Sequence, residues 1–232
     1  MKNPVFVALD VDDEKTARKI ATATAPFVGG FKIGPRLILR HGDKLIQELS
    51  RLAPVFVDCK FHDIPSTVVS ALEAAYSAGA TFATVHASNG LDCLREVARL
   101  EKQLARERAF RVLAVTVLTS FNEKNLPPNW LGATPEEHVM KLARLAIQAG
   151  LTGIVCSPHE VQNLRANFPE TFLVTPGIRL PNNDNQRVDD QARTMPPREA
   201  LNAGANALVI GRPIVLAPNP REAAEAIARS LG

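Results

Sequence analysis

Residues 55–67 read VFVDCKFHDIPST and contain one complete junction between a strand and a helix. The run that starts at Val55 is apolar and rich in β-branched and aromatic residues, as buried strands are. Pro65 cannot continue a central strand, but it suits the first turn of a helix. The segment therefore predicts a buried strand that leads through a short charged loop into a helix.

The same junction recurs along the chain. The predicted strands begin near Val5, Val28, Val55, Thr81, Arg111, Thr152, Phe172 and Asn206. Segments of helical period follow them at residues 13–25, 43–52, 67–77, 91–106, 135–148, 160–167, 197–203 and 220–230. Three of the helix exits carry a glycine suited to a C-cap, namely Gly79, Gly150 and Gly204. This alternation is typical of a parallel sheet built from βα units.

The number of units favours a closed barrel. Eight units in 232 residues average about 29 residues each, in the lower part of the range for a (β/α)8 TIM barrel. The alternative, an open doubly wound sheet, usually has fewer strands and a glycine-rich first turn, whereas residues 10–13 read DVDD. No linker divides the chain, so we expect a single barrel domain over residues 1–232.

The composition excludes several classes of protein. The chain is 46% hydrophobic and 22% charged, as ordinary globular proteins are, and it has no apolar run of about 18 residues that could span a membrane. The net charge of +3 is scattered and aromatic residues are only 5%, which argues against nucleic-acid binding. Cys59, Cys93 and Cys156 are odd in number and widely spaced, so they predict neither disulfides nor a zinc site. No secretory signal pattern follows Met1, so we expect a cytoplasmic protein.

In barrel enzymes the chemistry lies at the carboxyl ends of the strands. Polar residues expected there are Asp10, Lys32, Asp58, Lys60, His86, Thr119, Ser120, Ser157, Arg179, Gly211 and Arg212. A buried unpaired charge costs several kcal/mol, so charged residues at the ends of core strands indicate a functional site.

The densest cluster follows the third strand. Side chains alternate along a strand, so Asp58 and Lys60 point to the same side, and Asp63 lies on the loop, free to fold over Lys60 or to reach a neighbouring subunit. One interpretation is a salt bridge that seals the barrel, but with Asp10 and Lys32 nearby the charges exceed what sealing requires. A lysine ammonium is a positioned proton donor, and a carboxylate repels an anionic substrate group until that group leaves as carbon dioxide. The cluster therefore indicates decarboxylation followed by protonation of carbon.

The loops after the seventh and eighth strands predict a phosphate site. Barrels commonly bind phosphate there, and Arg179 and Arg212 offer guanidinium forks beside Gly177 and Gly211. The polar residues 180–193 are either a mobile lid over this site or an ordinary surface loop.

His62 suggests an alternative, a metal site with Asp58 and Asp63 as the other ligands. The Lys60 ammonium would compete with a cation there, so we expect no metal. We expect His86 to support its neighbours by hydrogen bonding, without acting as a catalytic base.

Several segments together resemble one enzyme family over nearly the whole chain. DCKFHDIPST, with VALDVDD and FKIG before it and VTVLTS, PGIR and VIGRPI after it, closely resembles the bacterial orotidine 5′-phosphate decarboxylases. The resemblance implies conversion of orotidine 5′-phosphate to UMP in pyrimidine biosynthesis, without metal or organic cofactor. It also implies a homodimer with shared active sites.

The resemblance implies a role for each matching residue. Lys60 would protonate C6 of the pyrimidine, Asp58 would lie against the substrate carboxylate, and Asp63 would act across the dimer interface. Asp10 and Lys32 would bind ribose hydroxyls and complete the charge network. The residues expected to contact substrate in addition are Cys59, Phe61, His62, Ile64, Pro65, Ser66, Thr67, Thr119, Ser120, Arg179, Gln186, Gly211 and Arg212. Either Thr119 or Ser120 would contact the ring, and Gln186 would reach the phosphate from the 180–193 loop.

Two other functions fit parts of the pattern. A magnesium-dependent sugar-phosphate decarboxylase or aldolase of the same suprafamily resembles this chain in barrel and DxKxxD spacing, but the HDIPxT and PGIR segments favour the pyrimidine enzyme. A noncatalytic phosphosugar-binding barrel would be expected to lose Lys60 or Asp63, and both are present.

Overall fold

The computed structural model describes residues 3–130, 132–179 and 194–231. Its strands pair in parallel and in chain order, and β8 pairs with β1 to close the barrel. The strands are β1 (Val5–Ala8), β2 (Gly30–Ile33), β3 (Val55–Phe61), β4 (Phe82–His86), β5 (Arg111–Val115), β6 (Gly153–Val155), β7 (Phe172–Thr175) and β8 (Ala207–Ile210). The (β/α)8 barrel predicted from the sequence is confirmed, although the second strand begins at Gly30 and not at Val28.

Helices surround the barrel. They are α1 (Glu14–Thr24), α2 (Pro35–Ser50), α3 (Pro65–Ser77), α4 (Leu91–Leu104), α5 (Pro135–Ala149), α6 (Val161–Asn167), α7 (Pro197–Asn202), α8 (Arg212–Val215) and α9 (Pro220–Leu231). The predicted second helix began only at Asp43 because Gly42 breaks the pattern; its backbone is not helical, with φ at 60°. The short α8 was not predicted. Within the described ranges, no helix has both the length and the apolar character needed to cross a membrane.

Two of the helix exits show why glycine is needed there. Gly79 and Gly204 have φ of 107° and 112°, in the region that residues with a Cβ rarely adopt. Gly150 caps α5 in the same left-handed conformation. The sequence-based prediction of glycine C-caps at these three positions is confirmed.

Aromatic side chains form a layer in the interior of the barrel, toward the amino ends of the strands. Phe6 packs edge-on against Phe82, with ring centroids 5.5 Å apart, and Phe82 stacks on Phe172 at 5.8 Å. A Cβ atom at Gly30 would lie 2.5 Å from the Phe6 ring, so only glycine fits on β2 at this level. Because side chains alternate along a strand, the next inward position on each strand lies one level higher.

On β2, β3 and β4 the inward positions above the aromatic layer are polar. Gly30 is followed on the inward face by Lys32, Phe56 by Asp58, and Phe82 by Thr84. These polar side chains therefore lie between the aromatic layer and the carboxyl end of the barrel. The fold places the charged groups together at the barrel mouth.

Glu101 on α4 is a partly buried acid outside the charged cluster at the mouth. Its Oε2 accepts a hydrogen bond of 3.2 Å from the backbone N–H of Val112 at the start of β5. Burial raises the pKa of Glu101 to about 7, against the opposing effects of that hydrogen bond and of Arg111. Ionised Glu101 therefore destabilises the folded chain.

We expect Glu101→Gln to stabilise the protein above pH 7, by roughly 1–3 kcal/mol, and to have a smaller effect near pH 5. Between the unfolded pKa of 4.5 and the folded value of about 7, the folded carboxyl keeps a proton that the unfolded chain has lost, so its contribution to stability falls as pH rises. Glutamine stays neutral and keeps an acceptor for Val112. The measurement is urea unfolding at pH 5 and pH 8, with Glu96→Gln on the exposed face of α4 as control. Equal effects at both pH values would contradict this prediction.

Candidate active site

A cavity of about 630 Å³ opens at the carboxyl end of the barrel. Its walls include nine of the residues predicted from the sequence: Asp10, Lys32, Asp58, Lys60, Thr119, Ser120, Arg179, Gly211 and Arg212. The strand ends have converged as the barrel topology requires. The cavity is therefore the candidate active site.

Four charges of alternating sign form one connected chain on a wall of the cavity. Lys32 Nζ lies 3.0 Å from Asp10 Oδ1 and 3.5 Å from Asp58 Oδ2. The other carboxylate oxygen of Asp58, Oδ1, lies 2.9 Å from Lys60 Nζ. Each oxygen of Asp58 thus faces a different lysine. The structure pairs Asp58 with Lys60, as their position on one face of the strand predicts.

Burial and neighbouring charges shift the pKa values of Lys32 and Asp58 in opposite directions. Burial alone would lower the pKa of Lys32, but the Asp58 and Asp10 carboxylates outweigh it, and the pKa is raised above its ordinary value. Burial would raise the pKa of Asp58, but Lys32 and Lys60 outweigh it, and the pKa is lowered. Both groups are therefore charged near neutral pH, which is the state that the network requires.

The backbone at Lys60 departs from a regular strand. Its φ is 50°, and it alone among the described non-glycine residues has a positive φ. The pairing between β3 and β4 shifts between Val57 and Phe61, so Lys60 lies in a bulge. Bulges re-aim side chains, and strained backbone of this kind clusters at active sites. The strain here positions the lysine whose side chain faces Asp58.

Asp63 lies at the rim of the barrel and does not line the cavity. Its backbone N–H donates to Asn89 Oδ1 at 3.1 Å, and its own Oδ1 accepts from the N–H of Ile64 at 2.7 Å. Among the described residues of one chain, Asp63 forms no ion pair with Lys60. Ile64 beside it is 64% exposed. Of the two possibilities left open by the sequence, this chain does not show the fold-back over Lys60.

The remaining residues of the 58–67 segment lie around the cavity without forming its walls. Cys59 and Phe61 pack against the helix layer. Burial, followed by the charge of Asp58, raises the pKa of Cys59 to about 11, so its thiol stays protonated at neutral pH. Pro65, Ser66 and Thr67 form the first turn of α3.

His62 and His86 stack on each other beside the mouth, with ring centroids 5.5 Å apart. His86 Nδ1 lies 2.6 Å from Ser88 Oγ and accepts from the Ser88 N–H at 3.2 Å. Burial, with His62 and Lys60 adding to it, lowers the pKa of His86 to about 4. The ring is neutral at physiological pH and its Nδ1 is engaged, in agreement with a supporting role. Within the described part of the chain, no three His, Cys, Asp or Glu side chains converge to hold a metal ion.

The arginine side of the cavity follows β7 and β8. Arg179 and Arg212 line it together with Gly177 and Gly211. The backbone N–H of Arg179 donates to Met195 O at 3.0 Å, and the N–H of Met195 donates to Gly177 O at 3.1 Å. These bonds place Gly177 and Arg179 beside Met195. The segment itself, including Gln186 and the predicted lid, lies outside the described residues.

Sequence reasoning missed three residues of the site that have polar or sulfur-containing side chains. Arg36, at the start of α2, and Cys156, after β6, both line the cavity. Thr84 is fully buried on β4, and its hydroxyl binds both Asp58 and the backbone of Lys60. Arg36 could have been found as a cation just after a strand end. Thr84 could have been found as a hydroxyl at an inward position of an apolar strand.

Comparisons with known proteins agree over nearly the whole chain. The family model described as "Orotidine 5′-phosphate decarboxylase / HUMPS family" matches residues 3–227. An orotidine 5′-phosphate decarboxylase of Anaeromyxobacter dehalogenans is 44% identical over 229 residues, which cover 98% of this chain and 97% of the relative. Another, from Dictyoglomus turgidum, is 41% identical over 225 residues, which cover 94% of this chain and 91% of that protein. A crystal structure of orotidine 5′-phosphate decarboxylase from Lactobacillus acidophilus superposes with a TM-score of 0.84 at 34% identity, covering 99% of both chains.

We expect Lys32→Met to lower the free energy of unfolding by roughly 3–5 kcal/mol at pH 7.5, because it leaves the buried Asp58 with one cation in place of two. The loss should be smaller near pH 5, where Asp58 can bind a proton in place of the missing ammonium. Urea unfolding at the two pH values measures both effects. Lys44→Met, at an exposed position of α2, is the control and should change stability little. A loss that does not depend on pH would contradict this account of Lys32.

Proposed function

The chain belongs to the orotidine 5′-phosphate decarboxylase / HUMPS family, and on this premise we propose that it converts orotidine 5′-phosphate to UMP and carbon dioxide. It is then a carboxy-lyase of pyrimidine biosynthesis. One observation carries the assignment of roles: Lys60 Nζ lies 2.9 Å from Asp58 Oδ1 in the wall of a cavity that Arg179 and Arg212 also line. That arrangement supplies a proton donor, a fixed negative charge and an anion site together.

Asp58 raises the energy of the bound substrate carboxylate. Its carboxylate is held by Lys32 and Lys60 and stays ionised, so a second carboxylate placed beside it is repelled. At an effective dielectric constant of about 20, two such charges about 4 Å apart repel by about 4 kcal/mol. The repulsion disappears when the bond from C6 to the carboxylate breaks and neutral carbon dioxide departs.

Lys60 completes the reaction. The electron pair of the broken bond stays on C6 as a vinyl carbanion, and the Lys60 ammonium gives a proton to it. The product is UMP, and the neutral amine left behind recovers a proton from water. The bulge at Lys60 supports this role because it aims the ammonium into the cavity.

The arginine side of the cavity binds the phosphate. Arg179 and Arg212 suit a phosphate because their guanidinium groups offer paired donors. The acceleration required is near the top of the enzymatic range, about 10¹⁷-fold or about 23 kcal/mol, far more than one repulsion can supply. Binding energy at the phosphate is therefore used to hold the carboxylate against Asp58. Gln186 would add a contact from the 180–193 segment.

The active site is completed by a second subunit in this proposal. Asp63, Ile64 and Thr67 project from the rim of one chain, and Asp63 would join the charge network of the partner subunit. The exposure of Ile64 supports an interface at this rim. Thr119 or Ser120, which both line the cavity, would contact the pyrimidine. We place the enzyme in the cytoplasm, where a biosynthetic enzyme of nucleotides meets its substrate.

A magnesium-dependent sugar-phosphate enzyme of the same suprafamily is the second candidate. The description of the matching family model names a second group, HUMPS, beside the orotidine 5′-phosphate decarboxylases, so the match by itself does not separate the two candidates. The second candidate differs from the first in needing a divalent cation. The two candidates are therefore separable by one assay.

We expect the purified protein to consume orotidine 5′-phosphate, with loss of its ultraviolet absorbance, at the same rate with and without EDTA. No step of the proposed mechanism uses a metal, since the charges come from Asp58 and Lys60. The control is a reaction without enzyme. A strict requirement for added magnesium would favour the sugar-phosphate alternative.

We expect Lys60→Ala and Asp63→Ala to be inactive alone and to recover roughly a quarter of the wild-type activity when mixed under conditions of subunit exchange. In a mixed dimer, one of the two sites receives an intact Lys60 from one chain and an intact Asp63 from the other. Lys60→Ala should still bind UMP, which shows that the cavity is formed. If exchange is demonstrated and no activity returns, Asp63 acts within its own chain.

A further inference from the structure

Thr84 joins the two reactive groups of the site. We propose that Thr84 is a positioning residue for the reaction, and that its single hydroxyl fixes both the carboxylate of Asp58 and the backbone of Lys60. This inference rests on the proposed function and adds a residue to it. Thr84 does not line the cavity, so it acts through its neighbours.

The hydrogen bonds of Thr84 run in one direction. The backbone N–H of Lys60 donates to Thr84 Oγ1 at 2.8 Å, and the same hydroxyl donates to Asp58 Oδ1 at 3.1 Å. A hydroxyl has one proton to give and lone pairs to accept, so both bonds can be made at once. Bonds in such a chain strengthen one another, and the acceptor at its end is charged.

The bulge in β3 explains why the backbone N–H of Lys60 needs a side-chain acceptor. Val57 pairs with Ala83 and Phe61 with Val85, so residues 58–60 of β3 pass opposite Thr84 alone. The N–H of Lys60 therefore has no regular ladder partner, and the Thr84 hydroxyl takes that place. With φ at 50°, the Lys60 backbone is in a sparsely populated conformation that persists only when its surroundings hold it.

Burial makes this hydroxyl hard to replace. Thr84 is 0% exposed, so water does not reach its hydroxyl. Removal of the hydroxyl leaves the Lys60 N–H without a partner and Asp58 Oδ1 with only the Lys60 ammonium among its described partners. The lysine and the carboxylate would then shift relative to each other. A misplacement of about 1 Å can reduce turnover about 100-fold.

Arg179 and Arg212 line the cavity, whereas Thr84 is not among its lining residues. Substrate binding through Arg179 and Arg212 should therefore survive the change. The inference predicts a specific pattern, a fall in kcat with KM nearly unchanged. A residue that only stabilised the barrel would lower stability without this split.

The experiment compares four variants with the wild type for kcat, KM, UMP binding and thermal unfolding. Thr84→Val is nearly isosteric and lacks the hydroxyl, and we expect its kcat to fall roughly 10- to 100-fold while KM changes less than about threefold. Thr84→Ser and Thr84→Ala are both smaller than threonine and differ from each other in the hydroxyl. We expect serine to stay within about threefold of wild type and alanine to lose activity as valine does, and this pair decides the matter even if Thr84→Val does not fold.

Thr24→Val is the matched control. Thr24 is also fully buried, and its hydroxyl donates to Ile20 O at 2.8 Å within α1, away from the site. It should lose stability and keep kcat. Equal kcat for the Thr84 serine and alanine variants, or a loss in Thr84→Val no larger than in Thr24→Val, would overturn the inference. A wild-type protein without decarboxylase activity would instead overturn the proposed function.

Discussion

The burial of the Asp58 carboxylate is the constraint on which the rest of this structure depends. Its side chain is 14% exposed, and a carboxylate at that depth costs several kcal/mol unless cations and hydrogen-bond donors surround it. The cations come from Lys32 on β2 and Lys60 on β3, and the hydroxyl comes from Thr84 on β4. The carboxylate is therefore stable only when these three strands are paired in register, so the pairing of β2, β3 and β4 also assembles the charged site.

The aromatic layer beneath makes this arrangement rigid. The rings of Phe6, Phe82 and Phe172 fill the lower interior, where a cavity or a water molecule would let the strands move. The absence of a side chain at Gly30 makes room for the Phe6 ring. Charged groups packed above this layer lose little further conformational freedom when a substrate binds. Electrostatic catalysis requires charges that are preorganised in this way.

The rim is built differently from the cavity walls. Asp63 is hydrogen-bonded to Asn89 and to the backbone of Ile64, and among the described residues of one chain it forms no ion pair with Lys60. Ile64 is largely exposed beside it. A single chain therefore assembles four of the five charges that the sequence groups together. The fifth is available at the surface, which is the arrangement from which the shared active site is proposed.

The sequence by itself predicted the barrel and nine of the residues that line its mouth, because strand periodicity and proline and glycine punctuation depend only on local backbone preferences. It also determined that Asp58 and Lys60 share a face. Only the tertiary structure decided that Lys60 lies in a bulge, that Thr84 supports it and that Arg36 lines the cavity. Those features arise from the register between neighbouring strands and from the closing of the ring, and contacts between residues distant in the chain leave no local pattern from which they could be predicted.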